Sequence, residues 1–313
     1  MILVTGANGF VGRSLCETLV RTGRTVVAAT RSPLRDGVSQ IVTFQIGSLS
    51  GDNQWQQGLQ GCDAVVHLAA RVHVMTDTSA DPLAEFRRVN VDGTLNLARQ
   101  AAAAGVRRFV FVSSIKVNGE STLPGRAFAA DDPPDPQDPY GISKYEAEQG
   151  LRDVAGQIGM EFVIVRPPLV YGPGVKANFL AMVQWLARGI PLPLGAIHNK
   201  RSLVALDNLV DLITTCLDHP AAANQTFLAG DGHDLSTTEL LQRVALALGK
   251  PARLIPVPAG VLQWSAALLG KKAMMQRLCG SLQVDIGKAG NVLGWTPPVT
   301  VDEGLRRAVA DIR

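Results

Sequence analysis

The sequence predicts an α/β protein, a Rossmann-like doubly wound parallel sheet with a smaller C-terminal lobe for a substrate. Three observations predict it. Short apolar runs rich in β-branched and aromatic residues alternate with helical patterns through the first half of the chain. Gly6, Gly9 and Gly12 stand between the first such run and a helical pattern. Beyond Pro167 the texture changes, because Pro168, the stretch Tyr171-Gly172-Pro173-Gly174 and Pro191-Leu192-Pro193 break regular structure.

The first element, Ile2-Leu3-Val4-Thr5, runs into a tight turn and then a helix. A phosphate reaches backbone N–H groups only where no Cβ intrudes, and a helix N-terminus adds unsatisfied donors and partial positive charge. The turn therefore suits a dinucleotide pyrophosphate, although its G-x-x-G-x-x-G spacing differs from the general G-x-G-x-x-G fingerprint. Strands follow at Thr25–Thr30, Ile41–Gln45 and Ala64–Ala70, then a helix over Leu83–Ala104 and a strand over Arg108–Ser114. A loop rich in Pro and Asp ends at Pro139; a helix from Tyr140 to about Gly156 and the strand Glu161–Arg166 come next. Ser202–Leu217, as strand and helix, and the strand Thr226–Ala229 are expected to return to the sheet. The dinucleotide-binding domain is thus residues 1–166 plus about 202–229, and the substrate lobe 167–201 plus about 230–313. In the lobe, Ser236-Thr237-Thr238-Glu239 reads as a capping box opening the helix Leu240–Leu248. The apolar segment Gly260–Gly270, with Trp264, is too short to span a bilayer and reads as a buried helix.

Composition narrows the function classes. A chain of 313 residues with 46% hydrophobic and 18% charged residues has room for a large core and is not disordered. The net charge of +3 is mild and unclustered, with no basic stripe for nucleic acid. Cys16, Cys62, Cys216 and Cys279 are far apart, with no C-x-x-C pair, so no metal site is expected. No signal peptide precedes the first strand and no apolar run reaches membrane-span length, so the expected location is cytoplasmic and no membrane partner is expected.

The chemistry lies in Tyr140-Gly141-Ile142-Ser143-Lys144, which places a phenol and an ammonium one helical turn apart on one face. A cation beside a phenol favours the phenolate, so the pair can move a proton to or from a substrate oxygen. Ser113-Ser114 ends a strand, and ligands of doubly wound sheets bind outside the carboxyl ends of the strands. A hydroxyl there can hold the same oxygen.

Thr5-Gly6-Ala7-Asn8-Gly9-Phe10-Val11-Gly12, His67-Leu68-Ala69-Ala70, Ser113-Ser114, Tyr140-x-x-x-Lys144 and Arg166-Pro167-Pro168-Leu169-Val170-Tyr171-Gly172-Pro173-Gly174 together resemble the extended short-chain dehydrogenase/reductase family, in its branch of nucleotide-sugar epimerases, dehydratases and reductases. The resemblance covers almost the whole chain. It implies that Gly6, Gly9 and Gly12, with Phe10 and Val11, cradle a dinucleotide, and that Leu68, Ala69, Ala70, Ser113 and Pro167 line its site. It implies Tyr140 as acid/base, Lys144 as its tuner and ribose ligand, and Ser114 as holder of the reacting oxygen. Asn118 replaces the family's usual tyrosine in Val-Tyr-Gly, and Asn90 is expected to hold a helix near the site. Asn178, Arg201 and Arg277 fall to the diphosphate of a UDP-sugar, the substrate class that the resemblance implies.

Two departures bear on the cofactor. NAD-binding relatives carry an acid at the end of the second strand, where this chain has Thr30-Arg31-Ser32, and Ser48 stands where relatives often have an adenine-contacting Asp. Arg31 can instead meet a 2′-phosphate, which predicts NADP(H) in preference to NAD(H). The expected reaction is NADPH-dependent reduction of a UDP-4-keto-6-deoxy-N-acetylhexosamine, resembling the UDP-4-keto-sugar reductases of bacterial surface-polysaccharide synthesis. The alternatives are a UDP-hexose 4-epimerase with tightly bound NAD and a non-catalytic NADP-sensing regulator. A dehydratase carries an Asp-Glu pair after the catalytic hydroxyl, and Ile115 and Lys116 occupy those positions here. Family members often dimerise through helices flanking the site, so a homodimer is implied.

Overall fold

The computed structural model describes residues 1–32, 40–72, 81–123, 125–268 and 272–312. In chain order β1 (Ile2–Thr5), α1 (Phe10–Arg21), β2 (Val26–Thr30), β3 (Ile41–Gln45), the short α2 (Gln56–Leu59) and β4 (Ala64–His67) are followed by α3 (Pro82–Phe86), α4 (Gly93–Ala103) and β5 (Arg108–Val112). Then come α5 (Pro139–Ile158), β6 (Glu161–Arg166), β7 (Leu169–Tyr171), α6 (Ala177–Ala187), β8 (Leu203–Ala205), α7 (Leu206–Asp218) and β9 (Gln225–Leu228). The chain ends with α8 (Thr237–Ala247), α9 (Ala259–Leu268), α10 (Lys272–Cys279), α11 (Gly287–Leu293) and α12 (Val301–Ala308).

Seven strands form one parallel sheet in the order β3-β2-β1-β4-β5-β6-β9. The order reverses at β1 and β4, whose C-terminal residues Thr5 and His67 lie in register, and that crevice is where such a sheet takes a ligand. Side chains alternate between faces. Val4, Val66 and Val110 pack with Leu15, Leu19, Leu209 and Ile213 of α1 and α7, whereas Leu3, Val65 and Phe109 pack with Leu97, Ala101, Ala147 and Leu151 of α4 and α5. A third core joins Tyr171, Phe179, Val183, Leu203, Leu241, Val244 and Leu305.

The structure departs from the sequence reading at several elements. β5, expected to reach Ser114, stops at Val112, because Ser114 caps the 3-10 turn that follows. β4 stops at His67 rather than Ala70, because the N–H groups of Leu68 and Ala69 turn to the Thr5 hydroxyl, each at 3.1 Å. The helix expected over Leu83–Ala104 contains a π-helical segment, Arg87–Asp92, between α3 and α4. β8 pairs with β7 in a separate two-stranded sheet. Pro167 and Pro168, which lack N–H groups, separate β6 from β7 and take the chain out of the main sheet, to which α7 and β9 return. α9 forms where a buried helix was expected but leaves Val261 and Trp264 exposed, at 54% and 68%. The capping box forms: the Glu239 amide donates to Ser236 Oγ (3.0 Å) and the Ser236 amide to the Glu239 carboxylate (2.7 Å). No helix among the described residues is long and apolar enough to cross a membrane, and none of their His, Cys, Asp and Glu side chains cluster to hold a metal ion.

Candidate active site

The site starts at the turn after β1. Gly6 has φ +65°, and a Cβ there would lie 3.0 Å from the Ala69 amide nitrogen; a Cβ on Gly12 would lie 2.2 Å from the Gly6 carbonyl oxygen. Only glycine fits either position. Gly9 closes the turn through its amide to Gly6 O (2.8 Å) and precedes α1 without a side-chain cap, so the first-turn N–H groups of Phe10, Val11 and Gly12 remain available to an anion. Half-buried Leu68, Ala69 and Ala70 border this cradle from the end of β4. The chemistry of the residues present fits a dinucleotide pyrophosphate.

Beneath the turn lies a buried relay that the motif reading did not single out. Thr5 Oγ1 accepts the Leu68 and Ala69 amides and lies 2.7 Å from His67 Nδ1, so its own proton goes to that nitrogen. His67 then carries its hydrogen on Nε2 and donates it to Thr94 Oγ1 at 2.9 Å. Burial first, and then the positive charge of Lys144, push His67 down to about 3, which keeps the ring neutral. Its signal in the sequence was a lone histidine ending an apolar strand.

At the end of β5, Ser114 opens a single 3-10 turn, Ile115–Val117. Its side chain neighbours the Tyr140 phenol and eases that phenol's ionisation. Tyr140 lies in the first turn of α5, which Asp138 caps by accepting the Gly141 amide at 2.6 Å and Pro139 enters with its preset φ. Burial raises the phenol to about 12, with Ser114 pulling it down and Asp138 pushing it further up. One turn on, Lys144 is 2% exposed, donates to Val112 O at 2.8 Å and lies 4.0 Å from the centre of the Phe111 ring. Burial lowers its ammonium to about 7 against the opposing Glu148 carboxylate. Ser113 Oγ, buried beside them, has no hydrogen-bond partner among the described residues and fits a ligand contact.

Two further networks hold these groups. Asn90, in the π-helical segment, accepts the Arg71 amide (2.8 Å) and donates to Arg71 O (3.0 Å) and Ser143 Oγ (2.9 Å), while Ser143 donates to Tyr140 O (2.8 Å). π-Helical insertions recur at functional sites, and here one aims a side chain at the active-site helix. Arg166 grips Glu148 with two bonds of 2.9 and 2.6 Å and donates to Asn118 Oδ1 at 3.0 Å. Asn118, standing where the family has tyrosine, also donates to Ala129 O (3.0 Å) and so ties the loop before α5 to the core.

Elsewhere, Arg31 is exposed at the end of β2, where Asn8 donates to Ser32 O at 3.1 Å. Ser48 is exposed and Pro167 buried. Asn178 is exposed in the first turn of α6. Arg201 is half-buried, bridges Leu235 and Leu282 through its backbone, and donates to Gly280 O at 3.1 Å. Arg277 belongs to α10, and its side chain lies outside the described residues.

The chain is 48% identical over 309 residues to a UDP-glucose 4-epimerase of Vibrio cholerae, covering 98% of this chain and 93% of that protein. It is 28% identical to the N-acetyl-alpha-D-glucosaminyl-diphospho-ditrans,octacis-undecaprenol 4-epimerase of Escherichia coli O157:H7, covering 98% and 94%. Among solved structures, MoeE5 in complex with UDP-glucuronic acid and NAD superposes with a TM-score of 0.79 at 27% identity, covering 99% and 97% of the two chains. Residues 2–230 match the model of the NAD dependent epimerase/dehydratase family. The protein is therefore an extended short-chain dehydrogenase/reductase and belongs to that family.

Proposed function

We propose that the protein interconverts the C4 epimers of a UDP-sugar, with NAD as a resident cofactor. The observation that carries this reading is the 48% identity, along almost the whole of both chains, to a UDP-glucose 4-epimerase. It takes precedence over the net reduction that the sequence alone suggested.

In this reading Gly6, Gly9 and Gly12 and the start of α1 hold the pyrophosphate, while Leu68, Ala69, Ala70, Ser113 and Pro167 line the rest of the cofactor site. When bound, the nicotinamide supplies the acceptor and donor of a hydride at C4. Tyr140 takes the proton of the C4 hydroxyl as the sugar is oxidised and returns one to the same oxygen as it is reduced. Ser114 hydrogen-bonds that oxygen. Lys144, when cationic, pulls the phenol toward phenolate and donates to the nicotinamide ribose. Asn178, Arg201 and Arg277 hold the diphosphate, Arg201 with the fork suited to two oxygens. Residues 1–166 plus about 202–229 make the dinucleotide domain, and 167–201 plus about 230–313 the substrate lobe.

A second reading, NADPH-dependent reduction of a UDP-4-keto-6-deoxy-N-acetylhexosamine, has one observation in its favour: β2 ends at exposed Arg31 without an acid. One experiment separates the two. Purified protein is denatured and the released nucleotide identified, and product formation from UDP-glucose and UDP-N-acetylglucosamine is followed by NMR alongside the near-ultraviolet absorbance of reduced nicotinamide. Retained NAD with conversion to the C4 epimer and no net absorbance change supports epimerisation. Stoichiometric NADPH consumption with a 4-keto sugar, and no epimer, refutes it. Tyr140→Phe is expected to lower turnover by about 100- to 10,000-fold, and a loss below about tenfold removes Tyr140 from the proton transfer.

A further inference from the structure

Lys116 stands where dehydratase relatives carry an acid, and the structure gives it a different occupation. Its amide donates to Ser114 Oγ at 3.2 Å. Its ammonium donates to two carboxylates, Glu120 at 2.7 Å and Asp138. Asp138 in turn accepts the Gly141 amide at 2.6 Å as the cap of α5. The contact is close on the backbone side as well, since a Cβ on Gly141 would lie 2.9 Å from Lys116 O. An unbroken chain of bonds thus runs from the Ser114 hydroxyl, through Lys116 and Asp138, to the first turn of α5, where Tyr140 sits.

We infer that Lys116 is a positioning residue for the proton-transfer pair, clamping the turn that carries Ser114 against the helix start that carries Tyr140. The inference rests on the reaction proposed above. An ordinary surface ion pair would contribute little. This one differs in two respects. Its three side chains are only 22% to 27% exposed, and a single cation is shared by two carboxylates that would otherwise repel each other. Without the ammonium, Asp138 is pushed away from Glu120 and off its cap, so the Gly141 amide loses its partner and the first turn of α5 frays. Ser114 and Tyr140 address one oxygen from different elements, so a shift of either by a fraction of an ångström reaches the transition state more than it reaches nucleotide binding.

The test uses full-length Lys116→Met and Lys116→Arg, with two readouts. Hydrogen exchange at the Gly141 and Ile142 amides is expected to rise about tenfold in Lys116→Met, as for a lost cap, and to stay near wild type in Lys116→Arg. With UDP-glucose as substrate, Lys116→Met is expected to lower kcat about tenfold or more with KM changed less than about twofold, and Lys116→Arg to restore most of kcat. Unchanged exchange in Lys116→Met overturns the clamp. So does a kcat within about twofold of wild type, a KM that rises while kcat holds, or an arginine variant as slow as the methionine one. Lys116→Met that unfolds globally leaves the comparison to Lys116→Arg and Lys116→Gln, with exchange limited to α5 as the deciding result. A wild type that turns over neither UDP-glucose nor UDP-N-acetylglucosamine counts against the proposed reaction, and the clamp is then judged on the exchange measurement alone.

Discussion

Glu148 and Arg166 face each other inside the protein with side chains 1% and 4% exposed, joined by two hydrogen bonds. Replacing Glu148 by Gln keeps the shape but removes the charge, and it turns an NH2 group toward one of the guanidinium donors. Arg166 is left with Asn118 Oδ1 and one amide oxygen, a buried cation without its counter-charge. Breaking a pair of this kind costs about 3–5 kcal/mol. For a chain of this size that corresponds to a fall of about 5–8 °C in unfolding temperature, read by differential scanning calorimetry on the protein as purified. The same carboxylate holds the Lys144 ammonium up against burial, so its loss lowers Lys144 further. At any given pH a smaller fraction of Lys144 is then charged, and the alkaline limb of the pH–rate profile moves to lower pH. The double variant Glu148→Leu/Arg166→Met removes both buried charges and is expected to recover at least half of the lost stability while turnover stays impaired. A single variant within about 2 °C of wild type, or a double variant no more stable than the single, would refute the reasoning.

Gly12→Ala puts a methyl group 2.2 Å from the Gly6 carbonyl oxygen. The turn must open, and retained nucleotide, measured by extraction, is expected to fall about tenfold or more. Acid should destabilise the protein through His67. The folded ring stays neutral down to about 3, whereas the unfolded ring takes a proton near its ordinary 6.5, so stability is intact above the unfolded value and is lost as pH falls through this window. By pH 4 the loss from this one group is about 3 kcal/mol. Urea midpoints of wild type and His67→Gln between pH 7 and 4 check it: the wild type should fall more steeply, and parallel slopes would count against a neutral buried ring.

Much of the fold could be read along the chain because its signals are local. The glycine turn, the spacing of Tyr140 and Lys144, the serine pair close to a strand's carboxyl end and the capping box at Ser236 each need only a few neighbouring residues. What escaped depends on partners far apart in sequence. Thr5, His67 and Thr94 meet only because β1 and β4 are neighbours, and Asn118, Glu148 and Arg166 only after β5, α5 and β6 have packed. The π-helical segment changes the winding by a single residue, too little to disturb an apolar periodicity, yet it is what sends Asn90 to Ser143. The exposure of Val261 and Trp264 was invisible because an apolar helix has the same pattern whether or not another element covers it.

Burial acts on the two central groups in opposite directions, and from this the arrangement around them can be understood. Moving a hydride requires water to be excluded, and a dry site disfavours charge on any group. The phenol of Tyr140 is therefore raised to about 12 while the ammonium of Lys144 is lowered to about 7, the reverse of what proton transfer by a phenolate beside a cation needs. The surrounding residues correct this in part. Glu148 holds a proton on Lys144, and Ser114 eases ionisation of Tyr140. Asp138 works the other way, since its carboxylate raises the phenol, although α5 needs it as a cap. The helix start therefore depends on a carboxylate that opposes the phenol's ionisation, and Lys116, bonded to that carboxylate and to Ser114 Oγ, answers the geometric side of that demand.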